Sequence, residues 1–387
     1  MSAHAATHDE LFEGGGRALR DSIDLRKAGL VAAVAAVVVA ALVTALPGAY
    51  GAVSEGIGKL GHADVRWLVL ALGLEALSFL GHIVLFRGVF VDRSSRIGYG
   101  ASYDITMAGH AATRIFGAAG AGGIAVTVWS LKRSGISGRT VATRMLGFMV
   151  LLYSFYALAV AAVGFGLWTG VLPGGGSTAL TLIPGVVALA LVGGALAAAT
   201  LARRKLGARA DAGEQSGWRG RLATASVAVG DGVHEAFAVV RRRDPRLVGG
   251  LMWWAFDIAV LWASFRAFGE APPVAILVMA YFLGLVGNAL PFLGSVGGVD
   301  GGMIAALVAF GANPAASVVA VIVYRLFSCW APTIPGALAF ARLRRRVSAW
   351  QADDAGAGAP ERPDELAAAR SRRRAQAPAL VPEPIAA

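Results

Sequence analysis

Polar and apolar positions along this chain do not alternate; they fall in long blocks, and the apolar blocks are the length of a bilayer. A helix rises about 1.5 Å per residue, so about 20 apolar residues cross a hydrocarbon core of about 30 Å. Residues 28–46 carry no charge at all. Comparable runs follow at 67–90, 140–168, 179–201, 247–268, 274–290, 296–310 and 316–340. The predicted fold class is therefore all-α, a polytopic helical membrane protein with about eight transmembrane helices. Acidic residues in the first 27 positions, among them Asp9, Glu10 and Glu13, argue against a cleaved signal peptide, so the first run reads as a retained anchor.

One region breaks the pattern. Residues 99–131 hold Asp104, His110 and Arg114, then a glycine cluster at 117–123, then a short apolar stretch. Each half is too short to span and too apolar for a loop, which predicts a re-entrant hairpin or a pair of broken half-helices. Irregular backbone at membrane depth is tolerated where protein or a water-filled cavity covers it. A second break, Asn288-Ala-Leu-Pro-Phe-Leu-Gly-Ser-Val-Gly-Gly-Val-Asp-Gly-Gly302, predicts a discontinuous helix, since Pro291 lacks a backbone donor and the glycines permit unwinding. An unwound elbow presents free N–H groups to a phosphate or carboxylate, as the half-helices of many transporters do. A weak internal repeat is suggested: the first cluster is followed by Gly135 and Arg144, the second by Gly311 and Arg325, although the glycine-to-arginine intervals differ, nine residues against fourteen. If the repeat holds, two elbows and two buried arginines face one cavity.

Composition changes the picture less than its extremes suggest. The net charge is +11 and the mean hydropathy +0.63. With both termini in the cytoplasm, residues 1–27, 92–98, 132–139, 203–246 and 341–387 are internal and hold 28 of the 35 Lys and Arg residues. That is the distribution of the positive-inside rule, so the charge reports orientation in the cell membrane and no nucleic-acid partner is expected. The expected organisation is a cytoplasmic segment at 1–27, a transmembrane domain at 28–345 interrupted by a basic linker at 203–246, and a disordered cytoplasmic tail at 346–387. The second half of the linker, 218–240, reads either as a solvated connecting helix or as one lying on the inner leaflet.

Charged groups at membrane depth cost about 2.5 to 3.5 kcal/mol each on insertion scales and need a partner or a purpose. The candidates are Glu75, His82, Asp104, His110, Arg114, Arg144, Asp257, Arg266, Asp300 and Arg325. Glu75 and His82, two turns apart, share a helix face and form a polar seam or a functional pair; Asp257 either pairs with a buried arginine or is purely structural. Arg266, near a helix end, is expected to snorkel. The lone Cys329 and the scattered histidines give no metal site, and no P-loop, zinc-protease or serine-hydrolase motif is present, so no cofactor is expected.

Arg114-Ile-Phe-Gly-Ala-Ala-Gly-Ala-Gly-Gly123 with Ser134-Gly-Ile-Ser137, the second elbow from Leu290 to Gly302, Phe310-Gly311, and Tyr324-Arg-Leu326 leading to Trp330-Ala-Pro332 and Gly336 together resemble the lysylphosphatidylglycerol synthase transmembrane-region family of flippase-like proteins. The resemblance spans about residues 28–345. It implies an integral membrane protein that moves a phospho- or glycolipid between leaflets. Arg144 and Arg325 would hold the phosphate, Asp300 would pair with an arginine or a cationic headgroup, and Arg114, Tyr324, Gly120, Gly122, Gly123, Pro291, Gly297 and Gly298 would complete the headgroup site. Multidomain members add a soluble aminoacyl-transferase; about 40 residues follow the last predicted helix, too few for one, so this chain is not expected to be an enzyme. Asp300 stands where the family pattern usually has Glu, and the first elbow lacks the proline often found there. The alternatives are a non-transporting scaffold for an envelope glycosyltransferase or lipid-modifying enzyme, and a secondary transporter of small solutes.

Overall fold

A computed structural model describes residues 60–92, 95–116, 121–210, 218–286 and 298–358. The predicted anchor at 28–46, the segment 1–27, the cores of both glycine elbows with Gly120, Pro291 and Gly297, and the tail beyond 358 lie outside the described residues. Among the described residues eleven α-helices run in order: α1 Val65–Phe90, α2 Tyr99–Phe116, α3 Ala121–Arg133, α4 Gly138–Trp168, α5 Leu182–Ala210, α6 Trp218–Arg241, α7 Val248–Arg266, α8 Val274–Leu285, α9 Gly298–Ala309, α10 Pro314–Arg325 and α11 Ala331–Gly358. A π-helical turn, Leu326–Trp330, joins the last two into one long rod. There is no strand among the described residues. Among the described residues four stretches are long and apolar enough to cross a membrane: Val65–Phe90, Gly138–Trp168, Pro245–Arg266 and Pro314–Asp354. The protein is a multi-pass, all-α membrane protein.

Two predicted crossings come out differently. The helices α8 and α9 have 12 residues each. At 1.5 Å per residue each reaches about 18 Å, short of the roughly 30 Å needed. They pack against one another near the second elbow, where Gly284 abuts the backbone of Met303. They form a hairpin, as α2 and α3 do at the first elbow, where Gly122 lies against the Ala112 carbonyl. The two hairpins open toward opposite ends of the bundle. The α2 start lies at a basic end, where Asp104 binds Arg342 (2.9 Å) and Arg346 (3.3 Å). The α8 start lies at the other end, where Ile276 meets the loop after α4 and the Asp64 amide donates to the Ala267 carbonyl. A hairpin entering from each side is the arrangement of an inverted repeat.

The turns after the hairpins repeat in detail. Gly135 and Gly311 have φ of +94° and +89°. In each, the glycine amide donates three residues back and the next amide donates five back: Gly135 to Lys132 and Ile136 to Leu131, Gly311 to Val308 and Ala312 to Leu307. This pair of bonds closes a helix C-terminus through a left-handed residue, which glycine adopts without steric cost. Two residues later Ser137 caps α4 by accepting from the Thr140 amide, and Asn313 caps α10 by accepting from the Ala316 amide.

The helix α6 corrects both readings of the linker. Val233, Ala236 and Val239 are buried, and Gly232 sits against Leu146 and Gly147 of α4, so its second half is a packed member of the bundle. The tail is also ordered further than expected: α11 continues to Gly358, and Val347 and Trp350 are buried in a cluster with Ile97 and Phe90. Between α6 and α7, Asp244 caps the next turn and binds Arg246, whose guanidinium holds the Asp244 carboxyl below its usual range.

Candidate functional site

The site is built on the crossing of α1 and α7. Gly81 and Gly249 have no side chains, and a Cβ on either would fall within 2.8 Å of the other helix's backbone. This contact lets antiparallel α1 and α7 run backbone to backbone. One turn further on, the Ser78 hydroxyl donates to the Trp253 carbonyl (3.0 Å). One more turn brings Glu75 to Asp257, so the register of two glycines places two carboxyl groups side by side. Each lies nine or ten residues from its helix start, about 15 Å along the helix.

Around this pair is a cavity of about 490 Å³. One wall is polar. The helix α2 supplies His110 and Arg114, α10 supplies Tyr324 and Arg325, and α8 supplies Tyr281. The hydroxyls of Tyr281 and Tyr324 both donate to Oδ2 of Asp257, the latter at 3.1 Å. His82 stacks on Trp253 at 3.9 Å and faces Phe148 at 5.7 Å. The opposite wall is apolar, from Ile124 of α3 and Met149, Leu152 and Tyr153 of α4. Ile124 and Tyr153 are also 41% and 60% exposed, so this side of the cavity opens onto the surface of the bundle.

Several buried polar atoms lining the cavity have no hydrogen-bond partner among the described residues. They include Glu75 Oε2, Asp257 Oδ1, Arg114 Nε, Arg325 Nη2 and His110 Nε2. Buried polar groups are nearly always satisfied, so such a cluster marks this cavity as the candidate ligand site. Among the described residues no group of three or more His, Cys, Asp or Glu side chains could hold a metal ion.

The residues singled out in the sequence divide three ways. Glu75, His82, Arg114, Gly123, Asp257, Tyr324 and Arg325 line the cavity, as do Leu285 and Val299 beside the second elbow. Asp300 stands behind it in an ion pair with Arg325, while Gly122 and Gly298 belong to the hairpin helices. Arg144 is elsewhere. Its guanidinium donates to the Phe90 carbonyl (3.2 Å) and to Asp92 (2.6 Å), tying down the end of α1. The unequal intervals noted in the repeat are the reason: Arg144 lies six residues into α4, about 9 Å, whereas Arg325 lies eleven into α10, about 17 Å. The second cavity arginine is Arg114, carried by the first hairpin itself. Asp257 accepts hydrogen bonds from two tyrosine hydroxyls and faces Arg114 and Arg325. Arg266 lies over the Trp67 ring, 5.1 Å from its centroid. Tyr281 was not singled out, though a lone hydroxyl in the apolar run of α8 was the signal for it.

Residues 30–336 match the sequence profile of the family described as the lysylphosphatidylglycerol synthase TM region. The chain belongs to this family. A search of curated proteins found no significant match. The matched stretch contains the α1–α7 crossing, both hairpins and each of the charged residues lining the cavity, so the site lies wholly within the lysylphosphatidylglycerol synthase TM region.

Proposed function

We propose that this protein is a lipid translocase of the cell membrane, which takes a phospho- or glycolipid headgroup between Arg114 and Arg325 and passes it from one leaflet to the other. The observation that supports this most is the two-sided cavity. Its polar wall offers two guanidiniums with buried N–H groups that have no partner among the described residues, and guanidinium is the geometric match for phosphate. Its apolar wall reaches the lipid-facing surface at Ile124 and Tyr153, where an acyl chain remains in the bilayer while its headgroup enters. A water-soluble solute has no use for such a mouth. Membership of the lysylphosphatidylglycerol synthase TM region supports the same reading. The positive-inside rule supports reading the basic end of the bundle, with Arg342 and Arg346, as the cytoplasmic one, and both termini as cytoplasmic with it.

The test is a leaflet-resolved assay in proteoliposomes carrying a fluorescent phospholipid and a membrane-impermeant quencher. The wild type is expected to expose the inner-leaflet pool. Arg114→Ala should slow this at least about tenfold, the effect of losing one charge-assisted hydrogen bond worth about 1.5 to 3 kcal/mol. An inner pool that stays protected with folded wild-type protein overturns the reading.

A further inference from the structure

The two carboxyl groups at the α1–α7 crossing present a problem of donors. A carboxylate only accepts hydrogen bonds. Oδ2 of Asp257 takes the hydroxyls of Tyr281 and Tyr324, but Oδ1 of Asp257 and Oε2 of Glu75 receive no donor among the described residues, although both side chains are more than nine-tenths buried. The groups facing the pair are these. On α1 itself there is His82, on α2 His110 and Arg114, on α8 Tyr281, and on α10 Tyr324 and Arg325. The nearest group on α4 is Tyr153, at the mouth. Leaving the imidazoles aside, Glu75, Asp257 and Asp300 set three carboxylates against the two guanidiniums of Arg114 and Arg325. One proton held between Glu75 and Asp257 removes both difficulties: it supplies the missing donor and brings the site to neutrality. Two adjacent carboxylates in a shared site take up a proton in this way.

We infer that Glu75 and Asp257 form a shared proton-binding site and that each anionic headgroup bound at Arg114 and Arg325 is carried together with one proton. The coupling rests on the lipid-translocase reading above. A headgroup with one negative charge would unbalance the neutral site; a second proton, taken from water at the cavity mouth as an O–H bond on the remaining carboxylate, restores it. When the headgroup leaves, that O–H bond breaks and the proton returns to water in the other compartment. No electrons move, and no other co-reactant is required.

Two measurements on the full chain test this. Infrared spectra of the purified protein in nanodiscs at neutral pH should show the C=O band of a protonated carboxyl, absent from both Glu75→Gln and Asp257→Asn, because either substitution leaves two carboxylates against two guanidiniums. A band that persists unchanged in either variant, with both variants melting like the wild type, overturns the shared site. In vesicles containing a trace of fluorescent phosphatidylglycerol, a gradient of one pH unit should enrich the probe in one leaflet by up to about tenfold, the ratio equivalent to one proton per lipid. A protonophore should abolish the enrichment, as should Glu75→Gln. Probe that equilibrates between leaflets without regard to the gradient overturns the coupling while the translocase reading stands. A sodium gradient that drives enrichment in place of the proton gradient overturns it equally. No probe movement under any gradient overturns the translocase reading and the coupling together, and the infrared band then decides the proton site alone.

Discussion

The two glycine hairpins have the same plan and carry opposite charge. In α2–α3 the residue near the elbow is Arg114, whose Nε has no partner among the described residues. In α8–α9 it is Asp300, already bound to Arg325 of the following helix. The first hairpin thus brings to the cavity a cation that faces Glu75 and Asp257 without an ion pair among the described residues, and the second brings an anion that fixes the other cation in place. An inverted repeat with identical halves would give two cations held in the same way. This one has an arginine without an ion pair among the described residues on one side and an arginine held by Asp300 on the other, so the two cations of the proposed headgroup site are held differently.

That difference is sharpened by removing each arginine. Arg325→Ala takes a largely buried ion-pair partner from Asp300, and breaking such a pair costs about 3 to 5 kcal/mol. The variant should melt well below the wild type, and Asp300→Asn combined with it should recover much of the loss. Arg114 forms no ion pair among the described residues and acts on Glu75 and Asp257 only at longer range, so Arg114→Ala should destabilise less than Arg325→Ala while losing phospholipid movement. Equal destabilisation by both substitutions would erase the distinction between the hairpins.

The hairpins also differ in how tightly they close. A Cβ at Gly122 would lie 2.5 Å from the Ala112 carbonyl oxygen and 2.8 Å from its carbon, both backbone atoms of the partner helix. At Gly284 the nearest atoms are Met303 Cβ at 2.9 Å and its Cα and N at 3.0 Å. Overpacking of this kind costs about 1 to 3 kcal/mol. Gly122→Ala should therefore fall near 3 kcal/mol and Gly284→Ala nearer 1, measured by thermal unfolding in detergent. The reverse order would show that the second hairpin is the more rigid of the two.

Much of this was legible in the sequence because it depends on local spacing. Glu75 and His82 share a face by helical period alone, and both line the cavity. The long crossings follow from apolar run length. The half-length of α8 and α9 was hidden because their runs are apolar right up to the elbow, so composition continues where the helices stop. The pairing of Glu75 with Asp257 depends on Gly81 meeting Gly249, a contact between positions 168 apart that no local pattern encodes. Asp104 finds Arg342 across 238 residues for the same reason. Arg144 was misplaced because the repeat was read by residue type, whereas depth along the helix decides what an arginine reaches.

The smallest expected effect tests whether the halves are equivalent where their geometry agrees. Gly135 and Gly311 occupy the same left-handed position, close the same pair of backbone bonds, and have nothing within 4 Å of a would-be Cβ. Substitution by alanine therefore meets no packing obstacle, and its cost is the backbone strain of a left-handed non-glycine residue, about 1 kcal/mol. Gly135→Ala and Gly311→Ala should each lower the unfolding free energy by that amount, to within a few tenths of a kcal/mol of one another, and the double variant should show the sum, since distant sites add. A cost several-fold larger at one glycine would mean that its turn is coupled to the rest of the bundle in a way the other is not. The asymmetry between the halves would then extend from the charges at the elbows to the turns that follow them.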